Sequence, residues 1–102
     1  MLIHIASLQR EGRVVPRRTH GLRAAVIVLK PGAAMDWHST GSREELLIGL
    51  GGRVQVEVRT ASRKRRVGLP AGRCALLPRD TWHSVVNRSM RKARYLYVTA
   101  GR

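Results

Sequence analysis

The chain reads as an all-β domain, a sandwich or barrel of short strands, and three observations carry that reading. Turn signals recur at short intervals: Glu11-Gly12, His20-Gly21, Pro31-Gly32, Thr40-Gly41, Gly51-Gly52, Thr60 to Ser62, Pro70 to Gly72, Pro78 to Asp80 and Asn87 to Ser89. Between them lie short runs rich in β-branched and large aliphatic side chains, the spacing of a sandwich or barrel. Val54, Val56 and Val58 alternate with Gln55, Glu57 and Arg59, the period-2 signature of a half-buried strand. Trp37, Trp82, Tyr95 and Tyr97 are the aromatic residues and Phe is absent. The core must therefore be built from Val, Leu, Ile and Ala, a composition suited to strands. No helical stripe of comparable length is present.

The elements follow in order from these signals. Leu2 to Ile5 is a short apolar run expected to form a strand within an N-terminal extension over residues 1–21. Leu22 to Lys30 is an aliphatic run closed by Pro31-Gly32, and Asp36 to Thr40 ends at Gly41. Glu45 to Leu50 and Arg53 to Arg59 flank Gly51-Gly52 as a hairpin. Lys64 to Leu69 follows a basic hairpin tip, Ser62 to Arg66, that overlaps its start. Cys74 to Leu77, Trp82 to Asn87 and Arg94 to Ala100 complete the set, with Ser89 to Ala93 as an intervening loop.

Length and composition bound the function. At 102 residues and 43% apolar, the chain is expected to be one domain, residues 1–102, since domains run to about 50–200 residues. The lone cysteine, Cys74, excludes an internal disulfide framework and suits a reducing compartment. It is expected to be a buried small hydrophobe rather than a nucleophile, because no basic partner is assignable. Met1 to Ala6 is a short apolar stretch without a basic region ahead of it, so no signal peptide is expected, and the longest apolar stretch, Leu22 to Leu29, carries Arg23 and is far short of the roughly 20 residues that span a bilayer. A soluble, cytoplasmic protein without membrane contact is expected.

The formal net charge is +14, and all but three of the twenty basic residues are arginine. Such a balance concentrates anions around the molecule and supports non-specific binding to nucleic acid. The arginines are nevertheless scattered from Arg10 to Arg102, as a solvated surface would have them.

Two segments carry the chemistry: Gly32-x5-His38-x-Thr40-x4-Glu45-x6-Gly52 and Gly72-x5-Pro78-x-Asp80-x2-His83-x3-Asn87. Together they resemble the paired motifs of the cupin family, G-x5-H-x-H-x3-4-E-x6-G and G-x5-P-x-G-x2-H-x3-N, with the likeness extending over residues 22–100. The resemblance implies a double-stranded β-helix, the jelly-roll barrel of cupins. It also implies a divalent transition metal held by His38, Glu45 and His83, with Glu44 as the alternative carboxylate because the family spacer varies. Glu45 is preferred because six residues on it reaches Gly52, just ahead of the next strand.

The chain departs from the family at Thr40, where a second histidine is usual. A hydroxyl is a poor ligand at neutral pH, so three donors remain, a set that suits non-haem Fe(II) and also accepts Mn, Ni or Zn. His20 and His4 are the other candidates for a fourth donor. Asp80 stands where the family has glycine, and an Asp tolerates unusual backbone angles in a turn. Trp37 and Trp82 each precede a proposed ligand, so alternation turns them to the opposite face, where they are expected to pack behind the imidazoles.

Arg43, Arg73 and Arg79 flank the motifs and, with Thr40, are candidate pocket residues favouring a carboxylate or phosphate. The leading expectation is a metal-dependent enzyme, of dioxygenase, isomerase or decarboxylase type, acting on a small anionic metabolite. The alternative is a non-catalytic small-ligand-binding or sensor protein with a degenerate metal site. A third is non-specific nucleic-acid binding through Arg10, Arg13, Arg17, Arg18 and the Arg63 to Arg66 cluster, without a recognition helix to confer specificity. A homodimer is expected, with the apolar start Met1 to Ile5 adding to a neighbour's sheet.

Overall fold

The computed structural model describes residues 3–101. Among the described residues, nine strands form: β1 Gly12–Arg13, β2 Arg23–Leu29, β3 His38–Ser39, β4 Glu44–Gly51, β5 Arg53–Arg59, β6 Lys64–Pro70, β7 Cys74–Leu77, β8 Trp82–Val86 and β9 Ala93–Ala100. They build two antiparallel sheets, one in the order β1-β2-β9-β4-β7 and one in the order β3-β8-β5-β6. Consecutive β4, β5 and β6 show why the chain needs two sheets. β5 pairs with β6 as a hairpin, whereas β4 pairs with β7 and β9 in the other sheet. The chain therefore crosses between sheets at Gly51-Gly52. Gly52 has φ 66°, and a Cβ there would lie 2.8 Å from the Lys92 carbonyl oxygen, so only glycine fits without strain.

The inward faces of the two sheets form the core. Leu47, Val54, Val56, Leu69, Leu77, Val85 and Tyr95 are buried in one cluster, as the alternation of β5 requires. A smaller cluster, Ala24, Val26 and Leu96, lies on the outer face of the five-stranded sheet and is covered in part by Val14 and Val15. Asn87 fastens the end of β8, donating to the Leu29 and Arg91 carbonyls at 2.9 and 2.7 Å. On the outer face of the four-stranded sheet, buried Glu57 pairs with Arg66 at 3.1 Å and also with Lys64 and Arg88.

Three sequence expectations need correction. Leu2 lies outside the described residues, and Ile3 to Ile5 form no strand, because the pairing beside β2 is taken by Gly12 and Arg13. The strand expected over Asp36 to Thr40 contracts to His38–Ser39, which pairs with β8 alone. Cys74 is exposed rather than buried. Ala75 and Leu77 lie opposite Leu47 and Glu45 and take the inward positions, so alternation on this edge strand turns Cys74 and Leu76 outward. No helix among the described residues is long and apolar enough to cross a membrane.

Candidate metal centre

His38 and His83 are directly opposed on the β3–β8 ladder, so their side chains leave the same face of the four-stranded sheet. Glu45 faces them from β4 of the other sheet, opposite Leu77 on β7 and Thr99 on β9. The two sheets thus bring one donor atom from each of His38, Glu45 and His83 to within 4.8 Å of one another. His83 is wholly buried and Glu45 is 8% exposed. His38 lies on the open side and is exposed, with its ring centroid 4.3 Å from that of His83.

Backbone carbonyls select the neutral tautomer of both imidazoles. His38 Nδ1 lies 2.7 Å from the Asp36 carbonyl oxygen, and His83 Nδ1 lies 3.0 Å from that of Thr81. A carbonyl only accepts, so Nδ1 carries the proton of each neutral ring and Nε2 then offers a lone pair, whereas a second proton on His83 Nε2 would be donated to Glu45. His83 Nε2 then faces Glu45 Oε2 at 2.9 Å, yet as a neutral ring it has no hydrogen-bond partner. Two buried acceptors at hydrogen-bonding distance require a cation between or upon them, either a proton or a metal ion. Burial pulls the His83 pKa down, but the hydrogen bond and negative charge of Glu45, with the Thr81 carbonyl, outweigh it and raise the value above 6.5.

The separation suits a metal as well as a proton. Donors each about 2.1 Å from one ion and at a right angle stand roughly 3 Å apart. Tyr95, buried on β9, has its phenol pushed upward by burial, by the charge of Glu45 and by Tyr97. It therefore remains a neutral hydroxyl at physiological pH, buried in the core opposite Gly49 of β4.

The other expected residues fall elsewhere. Glu44 is exposed and opposite Ala100, one step out of phase with the inward face that Glu45 shares with Leu47. Thr40 does not present its hydroxyl to the triad. Its Oγ1 donates to the Pro78 carbonyl at 2.7 Å and accepts from the Thr81 N–H at 2.9 Å, clasping the two motif loops together. Asp80, at φ 57°, supplies the left-handed turn that the clasp closes over. His4 is exposed in the N-terminal extension, and His20 lies in a surface groove apart from the triad. Arg43 donates to the Gly21 carbonyl at 2.7 Å. Arg73 lies at the opposite end of β7, its carbonyl accepting from Gly49, and Arg79 is exposed in the Pro78 to Asp80 turn.

Trp37 and Trp82 take the face opposite the histidines. The Arg59 guanidinium stands 5.2 Å and the Lys64 ammonium 5.9 Å from the Trp37 ring, while Trp82 remains half exposed. Beside the triad, a cavity of about 530 Å³ opens between the edges β6 and β7, walled chiefly by Val56, Val58, Val67, Ala75 and Leu77. Val58 is opposite His83 and Leu77 is opposite Glu45, so the cavity shares a wall with the triad. Arg59, Arg65 and Trp82 lie at its rim. Neither Arg43, Arg73 nor Arg79 lines it. Arg65 is recoverable from the sequence only by extending the alternation of β5 across the hairpin, where it opposes Val58.

The cupin domain family matches residues 25–99. Among solved structures, the protein TT1209 from Thermus thermophilus superposes with TM-score 0.75 at 25% identity, covering 96% of this chain and 91% of that one. A cupin 2 conserved barrel domain protein from Salinispora arenicola CNS-205 gives 0.74 at 24%, covering 90% and 75%. An oxalate oxidase gives 0.72 at 18% identity over 79% of this chain, which spans 42% of that protein's length. No curated protein matches the sequence. The match over most of its length, and a two-sheet jelly-roll that gathers both motifs at one point, show that the chain belongs to the cupin family.

Proposed function

We propose that this cupin binds a divalent transition metal, Fe, Mn, Ni or Zn, through His38, Glu45 and His83, and acts as a metal-dependent enzyme on a small anionic metabolite. The observation that carries the reading is the convergence of one donor atom from each of His38, Glu45 and His83 to within 4.8 Å of one another, with His83 Nε2 2.9 Å from Glu45 Oε2. An ion bound there supplies a Lewis acid with open coordination positions. The chain's own residues do the rest. The carbonyls of Asp36 and Thr81 orient the imidazoles, as outer-shell acceptors do in metal sites. The aliphatic walls of the adjoining cavity hold the body of the ligand and exclude water, and Arg59 or Arg65 at the rim receives its carboxylate.

The Thr40 clasp favours a second reading, a ligand-binding or sensor protein at the same site, because a loop-fastening threonine has replaced a donor. Metal analysis of protein purified without chelator tests the first step. About one ion per chain, lost in His83→Ala, supports the proposal; a content near zero after reconstitution with Fe, Mn, Ni, Zn and Co overturns it. Turnover of candidate carboxylates by the loaded protein then separates enzyme from sensor. A homodimer belongs to the same proposal. Leu76, 62% exposed on the edge strand β7, and the exposed Ile3 and Ile5 offer it apolar surface.

A further inference from the structure

A second cavity, of about 580 Å³, shares no residue with the triad or with the aliphatic cavity beside it. Four of its eight lining residues are arginines, Arg13, Arg17, Arg23 and Arg43, joined by His20, and none is Asp or Glu. The fold assembles them from separate segments. Arg13 on β1 lies opposite Ala25 on β2, and Arg23 is two residues from Ala25, so both leave the same face of the sheet. Gly21, at φ 87°, makes the tight turn ahead of β2, and the Thr19 hydroxyl closes it by donating to the Leu22 carbonyl. The Gly21 carbonyl then accepts from Arg43 Nη1 at 2.7 Å. That bond holds one guanidinium, itself part-buried, against the cavity using a single one of its five donors.

Four guanidiniums in one cavity without a lining carboxylate repel one another, and a bound polyanion relieves that repulsion. Guanidinium groups match phosphate oxygens in paired, charge-assisted hydrogen bonds. We infer that this groove, lined by none of the three metal-centre residues although Arg23 stands in one row with Glu45 through Thr99, is a binding site for a multiply charged phosphate. Its chemistry is shared by a free polyphosphate and by the backbone of a single-stranded nucleic acid, and the experiment distinguishes them.

Binding of tripolyphosphate, citrate and a dT12 oligonucleotide is measured by calorimetry on chelator-treated protein, so that metal plays no part. Three proteins are compared: the native chain, Arg17→Gln/Arg23→Gln, and Arg73→Gln/Arg91→Gln, which removes the same charge outside the groove. Tripolyphosphate is expected to bind one to one, and to lose about tenfold or more in the groove variant, as loss of charge-assisted bonds implies, with less than about threefold loss in the control. Binding of dT12 with the same groove-specific loss supports the site and names nucleic acid as the source of phosphate; oligonucleotide binding unaffected by the groove variant, beside groove-dependent tripolyphosphate binding, names the free ligand. Equal losses in the two variants overturn the proposal, as does citrate binding as tightly as tripolyphosphate or the absence of tripolyphosphate binding.

Discussion

Glu45→Gln is the most informative single change at the metal centre, because it preserves shape while removing the charge. The carboxylate is 8% exposed and its Oε2 lies 2.9 Å from His83 Nε2. With His38, these two atoms would hold the ion, and Glu45 would supply its one anionic donor. A glutamine can turn its amide N–H₂ toward Nε2 and satisfy it without any cation. The folded metal-free protein should then lose little, less than about 1.5 kcal/mol, since one hydrogen bond replaces another. Metal affinity should fall at least about a hundredfold, roughly 2.7 kcal/mol, because even outer-shell changes cost ten- to a hundredfold and this removes a donor outright. Glu44→Gln, on the outward face, should leave affinity within about threefold. Titration of chelator-treated protein with Zn or Mn, read by calorimetry, makes the comparison. Equal affinities for the native and Glu45→Gln proteins, or an equal loss in Glu44→Gln, would refute the reasoning.

The remaining predictions concern the same elements. The raised His83 pKa stabilises the metal-free fold fully below the unfolded value near 6.5, and that contribution is lost as pH rises through the folded value. The melting temperature of metal-free protein should therefore decline from about pH 6.5 upward while metal affinity increases over the same window, and melting curves in Glu45→Gln should lack the decline. Thr40→Val removes both bonds of the clasp, costing about 1–2 kcal/mol, or about 5–10 °C in Tm; metal content should stay unchanged, and its loss would show that Thr40 serves the ion directly. Gly52→Ala should cost more than about 1 kcal/mol in denaturant unfolding, whereas Gly68→Ala, with nothing within 4 Å of its Cβ, should be close to neutral. Light scattering should give twice the 11.4 kDa chain mass, and Leu76→Glu should shift it toward the monomer.

The class of fold was legible in the chain because strand alternation is local, and the triad that the structure brings together was legible through the resemblance of two local motifs to those of cupins. Val54, Val56 and Val58 alternate whatever their partners are, and His38, Glu45 and His83 sit at fixed distances from Gly32, Gly52 and Asn87 along the sequence. Asp80 at a left-handed φ was legible for the same reason, since the demand falls on its own backbone. What the chain could not show was the relation between segments far apart in it. Cys74 and Leu76 look like core residues in a run of apolar neighbours, and only the pairing of β7 with β4 decides that Ala75 and Leu77 face inward. The hydroxyl of Thr40 stood in a ligand position by spacing, but its partners, Pro78 and Thr81, are about forty residues away. The arginines likewise look scattered along the chain, and tertiary pairing gathers Arg13, Arg17, Arg23 and Arg43 into one groove. Sequence determined which residue types recur at strand and motif spacing; the closing of two sheets determined which atoms meet, because hydrogen-bond register is fixed between strands and not within them.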